Sequence, residues 1–343
     1  IMKPRMLATA RLSFPLATAT AALLAMQSAQ AITYYWDNNG APTGFGSAGG
    51  TWTGPTVSQW STGTGSSTGV ATPGASVTTT TSDALNFGTD TATYGLGSGT
   101  ITVSGTVNAA SLRFGSQSTG NILLSGGTIN FAAAATIHVG AGSPTNHTIS
   151  SNITGAGTSL TKTGNSLTLS GSNSYTGSTI ISTGTLTLGS TGALGGSTPG
   201  VNGTSGVTIG GASAATLATS TDGITISAPI TLANTGINSN ISFSRSTSAA
   251  GTLTLDGAIG GNGNLTYTTP NVTSGNNIQT VLINAAGTYA GTTTITTANT
   301  NNTNTIKNGI ANALPTSTVL TIDGANGPTT ATVRTTTYDL GGF

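Results

Sequence analysis

The sequence predicts an all-β chain, and within that class a single-stranded, right-handed parallel β-helix with an aromatic-rich N-terminal cap. Three observations predict it. The first is composition. Of 343 residues 51 are Gly and only 4% are charged, against roughly a quarter in ordinary globular proteins. Glu is absent and Lys and Arg are scarce, so good helix formers are missing, while Thr, Val and Ile suit strands and Gly and Asn suit tight turns. The second is patterning: apolar residues make up 35% of the chain and recur at alternate positions, which separates it from disordered chains of low hydrophobicity and high net charge. The third is self-similarity at long range, the mark of a solenoid.

The N-terminus reads as a secretory signal peptide over 1–31. Met2 is taken as the start; Lys3, Arg5 and Arg11 precede an Ala-rich apolar stretch peaking at "AALLAM" (21–26), and "SAQA" places Ala29 and Ala31 at the small-residue positions before the cleavage site. The apolar run is too short, and too interrupted by Thr, Ser and Pro15, for a bilayer span. Cleavage after Ala31 leaves Lys162, Lys307, Arg113, Arg245 and Arg334 against Asp37, Asp83, Asp90, Asp222, Asp256, Asp323 and Asp339, a net charge of 5 − 7 = −2. That excludes a basic nucleic-acid surface. The next segment, 32–83, carries all three Trp (36, 52 and 60) with Tyr34, Tyr35 and Phe45, followed by a Ser/Thr/Gly-rich linker. It is expected to cap the solenoid and block edge-to-edge growth.

From 84 to 343 short strand-like pieces follow one another without helical interludes. Ile101 and Val103, Leu112 and Phe114, Ile129 and Phe131, and Ile137 and Val139 each place two apolar side chains on one face of a strand. Asn-Gly and Asp-Gly pairs occur but do not separate matched strands regularly, which favours a coil over a sandwich of hairpins. The chain closes on "TYDLGGF" within a strand rhythm, so a truncated C-terminus is expected.

The self-similarity appears by offset. "LTLSGSNSYTGSTIIS" (167–182) aligns with "VLINAAGTYAGTTTIT" (281–296), so that Tyr175 meets Tyr289, Gly177 meets Gly291 and Thr179 meets Thr293. Upstream, "ITGAGTSLTKT" (153–163) matches "IGGNGNLTYTT" (259–269); downstream, "GALG" (192–195) matches "NALP" (312–315). The block 153–189 resembles the autotransporter-associated β-strand repeat, also called the passenger-associated transport repeat. Gly155, Gly157, Leu160, Lys162, Gly164, Leu167, Leu169, Gly171, Asn173, Tyr175, Gly177, Thr179, Gly184, Leu186 and Leu188 fit its pattern. One extra residue lies between Gly157 and Leu160, and Asn165-Ser166 stands where a second Gly is usual. The second copy, near 259–298, has Gly287 in place of Asn and no Lys. The resemblance implies a secreted or cell-surface, outer-membrane-associated β-helix with a role in export, surface display or adhesion, an outer-membrane translocator or surface glycans as partners, and no catalytic residue.

The residues themselves support the same expectation. Leu160, Leu167, Leu169, Ile181, Leu186 and Leu188 alternate with Thr and Ser and can fill a core, each contributing on the order of 1.5–3 kcal/mol. Asn173 can cap a turn or stack on another Asn, and Tyr175 packs with its hydroxyl at the edge. Lys162 and Lys307 are expected on the solvent side, and His138 exposed on a strand. There is no Cys, hence no disulfide or thiolate site, and two His, His138 and His147, are too few for an imidazole metal site. No cofactor, metal or catalytic residue is expected. Two alternatives differ in class. A carbohydrate-active β-helix enzyme, a lyase or hydrolase, needs converging acids, and the Asp residues are scattered singly beside turns. Binding of a ligand, ice or glycan through T-x-T pairs (161–163, 185–187, 252–254, 266–268, 292–294 and 294–296) needs regular spacing, and theirs is uneven.

Overall fold

The computed structural model describes residues 30–39, 44–56, 59–62, 76–90, 95–115, 120–141, 146–243, 251–269, 277–297, 302–323 and 335–342. The proposed signal sequence up to residue 29 lies outside them. Among the described residues every regular element is a β-strand, and all pairs but one are parallel with the next turn of the chain.

The chain coils through three faces in succession. Face 1 is a ten-stranded sheet running from Thr33–Trp36 to Ile259–Gly261, and face 2 an eleven-stranded sheet running from Thr51–Trp52 to Leu320–Asp323. Face 3 is split into a three-stranded sheet (Thr106–Asn108, Thr128–Asn130 and Asn152–Thr154) and a five-stranded sheet (Ile224–Ile226 to Thr335–Asp339). The predicted parallel β-helix is therefore the fold.

Alternation builds its interior. Inward residues stack rung upon rung: on face 1 Leu112, Ile137, Lys162, Ile181, Ile209 and Leu232 share one column, and on face 2 Leu124, Ile149, Leu169 and Leu188 share another. The aliphatic members are almost wholly buried. A parallel sheet offers its backbone only to its neighbours along the axis, so identical slim side chains in register fill a narrow core without voids.

The aromatic-rich end is built differently from a separate plug. Thr33–Trp36 pairs in parallel with Ala84–Phe87, and Thr51–Trp52 with Gly99–Val103, so this segment is itself the first turn of the coil. Trp60–Ser61 then reverses and pairs antiparallel with Thr33–Trp36, closing the edge of face 1 with a strand of two residues. Trp36 and Trp52 meet Trp60 edge-on, at 4.9 and 5.6 Å between ring centroids. From Trp60 an aromatic column runs inward through Phe87 (5.9 Å), Phe114 (5.3 Å) and His147 (4.7 Å). A reversed, short terminal strand over a tryptophan cluster blunts the parallel edge at this end.

Candidate functional site

The residues of the repeat converge on the closure of two turns, where face 3 is interrupted between Asn152–Thr154 and Ile224–Ile226. Asn173 stands in for the missing strand. Its backbone N–H donates to Gly192 O, and Ser174 N–H donates to Ile153 O. Its side chain spans both neighbouring turns: Oδ1 accepts from Ile153 N–H (2.8 Å) and Nδ2 donates to Ala193 O (2.6 Å). It does not stack on another Asn. That arrangement occurs elsewhere, between Asn130 and Asn108 (2.9 Å) and between Asn264 and Asn238 (3.2 Å).

Tyr175 is fully buried, so its hydroxyl does not reach the edge as expected. It pairs with Thr179 Oγ1 (2.7 Å), Thr179 Oγ1 donates to Thr204 Oγ1 (2.9 Å), and Thr204 also reaches Gly177 O (2.9 Å). The second copy repeats the chain of contacts: Tyr289 to Thr293, Thr293 to Thr318 (2.9 Å), and Thr318 Oγ1 to Gly291 O (2.9 Å). Burial pushes both phenols up to about 12, so they act as neutral hydrogen-bonding groups. Thr204 and Thr318, which keep the same offset as the tyrosines, belong to the repeat and are missed by its sequence pattern.

The two copies occupy different faces. Leu160 pairs with Thr179 on face 1, whereas Leu265 pairs with Thr293 on face 2. From Leu160–Gly164 to Ile259–Gly261 the chain makes four turns of face 1, and the second copy begins one face later. The motif therefore specifies a local closure that the coil accepts at two different faces.

Lys162 corrects the sequence reading. It is not on the solvent side: it lies in the inward column between Ile137 and Ile181 and is fully buried. Its Nζ donates to the carbonyls of Gly164 (2.7 Å), Thr183 (2.8 Å) and Asn165. Gly164 (φ +77°) and Gly184 (φ +66°) form the corners of that cage, a backbone conformation that favours glycine. Burial pushes the amine down to about 7; the three carbonyls oppose this by stabilising the ammonium form. Lys307 does lie outside, half-exposed and 3.7 Å from Asp339.

The other ionisable groups are held one by one. His147 is buried, stacks on Phe114 and accepts from Ile122 N–H through Nδ1 (3.0 Å); burial pushes it down to about 4. His138 faces outward but is half-buried rather than exposed, with Nδ1 2.9 Å from Thr163 Oγ1. Burial, then Arg113 and Lys162, lower its pKa. Asp83 is buried and caps Ile32 N–H and Thr80 N–H. Asp339 accepts from Gly341 N–H in its own turn (2.9 Å), but Asp222 and Asp256 reach the following turn, to Thr252 N–H (2.8 Å) and Asn284 Nδ2 (2.9 Å). Asp90 pairs with Arg113. The side chain of Asp323 lies outside the described residues. Among the described residues no three His, Asp or Glu side chains form a group able to hold a metal, and no helix is long and apolar enough to cross a membrane. A shallow cleft between Leu188, Leu194, Pro199 and Ile226 has no ionisable side chain in its lining.

The class this defines is a three-faced parallel β-solenoid whose motif residues close its own turns. Comparison with protein-family models, with curated proteins and with solved structures finds no match.

Proposed function

We propose that this chain is a secreted or surface-displayed structural protein, a passenger-like solenoid that serves export, display or adhesion. The observation that carries the reading is the use to which the repeat is put. Lys162, Asn173, Tyr175 and Thr179, the polar residues of the motif, spend their hydrogen bonds on the coil's own backbone and on one another. A motif that satisfies itself internally maintains a scaffold. Coiling by local, turn-on-turn pairing also suits a chain that emerges progressively and folds outside a membrane, because each turn needs only its predecessor as a template.

The test is expression of the full chain in a Gram-negative host, followed by fractionation, N-terminal sequencing and protease treatment of intact cells. The reading expects a mature N-terminus at Ile32 and a product in the medium or accessible at the cell surface. An unprocessed chain retained in the cytoplasm would overturn it.

A further inference from the structure

We infer that the outward side of face 2 is a binding surface for ice. This goes beyond the display reading, and its failure would leave that reading untouched.

Three of the T-x-T pairs, 185–187, 266–268 and 294–296, fall in register on face 2, whereas 161–163 lies on face 1 and 252–254 on face 3. On six consecutive strands of face 2 one outward column reads Thr185, Thr216, Asn240, Thr266, Thr294 and Thr321. The column beside it reads Thr187, Ala218, Ser242, Thr268 and Thr296, with Ala218 and Ser242 buried and the three threonines half-buried; Thr168, also buried, and half-buried Thr148 continue it toward the N-terminal end. The sequence separations differ from turn to turn because the loops between faces vary in length; the pairing does not slip.

The first column repeats along the axis, and at the rungs of Thr185–Thr187, Thr266–Thr268 and Thr294–Thr296 the surface repeats along the strand as well. Neighbouring strands lie about 4.8 Å apart, and residues i and i+2 about 6.6 Å apart along each strand. The inward partners Leu186, Leu217, Ile241, Tyr267 and Ile295 are buried and anchor the sheet from behind. Threonine is stiff at χ1, so each position presents a hydroxyl and a methyl in a limited set of directions. Asn240 Nδ2 lies 3.3 Å from Thr216 Oγ1 and ties two rungs of the array together.

A repeating plane is matched by a solid. Soluble ligands are enclosed in concave sites, whereas a crystal surface presents its own two-dimensional repeat. Two aqueous solids offer hydroxyl-compatible lattices, ice and crystalline polysaccharide. Sugar rings are gripped best by flat aromatic faces with a polar handle, and the two columns contain none. From Thr185 to Thr294 and from Thr187 to Thr296 the two columns contain no charged residue, so no ion holds a competing hydration shell over that part of the array. Hydroxyls at fixed spacing can take the place of lattice waters, with the methyls set between them.

The experiment uses the full chain and ice itself as probe: crystal shaping and thermal hysteresis in a nanolitre osmometer. The wild-type protein should facet growing ice and delay its growth. Thr266→Lys and Thr294→Lys should each abolish this, while Thr136→Lys and Thr231→Lys, at exposed outward positions of face 1, should retain it. Circular dichroism melts establish that each variant folds. Round, unshaped crystals with wild-type protein, equal loss in the face 1 variants, or partition to crystalline cellulose or chitin in place of ice would each overturn the inference.

Discussion

Replacing Asn173 with Ala removes one side chain and orphans two backbone groups at once. Ile153 N–H loses its 2.8 Å acceptor and Ala193 C=O its 2.6 Å donor. Both residues are at most 1% exposed, so water does not readily replace what is lost. An unsatisfied buried donor or acceptor costs about 1–3 kcal/mol, so the pair should cost about 2–6 kcal/mol. Asn130→Ala, which removes a half-buried Asn–Asn contact, should cost only about 0.5–1.5 kcal/mol. A stack of turns is coupled chiefly to its neighbours and need not unfold in one step. Native-state hydrogen exchange at amides 150–156 and 190–196 is therefore the assay, with urea unfolding alongside. A third variant sharpens the reasoning. Asn173→Asp keeps the acceptor for Ile153 N–H but sets a carboxylate oxygen against Ala193 O. It should be less stable than Asn173→Ala at neutral pH and recover in acid, where the protonated acid can donate. A loss below about 0.5 kcal/mol for Asn173→Ala, the range of ordinary surface changes, would refute the idea that this side chain replaces a strand.

Three further outcomes follow from buried groups and from the first turn. Lys162 titrates at about 7 in the folded chain, against 10.5 for a lysine free in water. Between those values the unfolded chain binds more protons, so stability should rise with pH from about 7 to 10.5. Lys162→Met should lack this rise, and an unchanged slope in urea titrations would contradict the burial of the amine. His147, pushed down from 6.5 to about 4, acts in the same sense at lower pH: as pH falls from 6.5 to 4 the unfolded chain gains a proton that the folded chain refuses. Stability should then drop by at most roughly 3 kcal/mol, and His147→Asn should abolish the drop in acid-unfolding curves. Deleting 32–83 exposes the edges of Ala84–Phe87 and Gly99–Val103 together with Phe87, and the purified product should aggregate in size-exclusion chromatography; a soluble monomer would show that Trp60–Ser61 is not what protects this end.

The fold is legible in the sequence because alternation has one meaning in a strand. Ile101, Val103, Leu112, Phe114, Ile129, Phe131, Ile137 and Val139 are all buried as their spacing requires. Lys162 misleads for the opposite reason. Its position two residues after Leu160 puts it inward, but a charge suggests solvent, and sequence alone does not show that three carbonyls await it. Parity is the better guide there, and likewise for Tyr175. Thr204 and Thr318 are illegible because they act across a turn, at a distance set by the loop rather than by the motif. The threonine columns are hidden by the same cause: variable loops scramble spacing along the chain while pairing between turns restores it. So too for the second repeat copy, where a shift of one face leaves no trace in the offset.

The parallel, in-register stacking of turns underlies the fold, the motif's role and the threonine face alike, and the absence of native cysteine allows it to be measured cleanly. Thr185 and Thr216 are register partners on adjacent turns of face 2, and Asn240 lies one turn further on. In the full chain, Thr185→Cys with Thr216→Cys should oxidise to an intramolecular disulfide, since adjacent strands about 4.8 Å apart bring the two Cα atoms within bridging range. Thr185→Cys with Asn240→Cys, two strands apart, should remain as free thiols under the same oxidant. Ready closure of the second pair, or failure of the first, would contradict the stacking from which all three are derived.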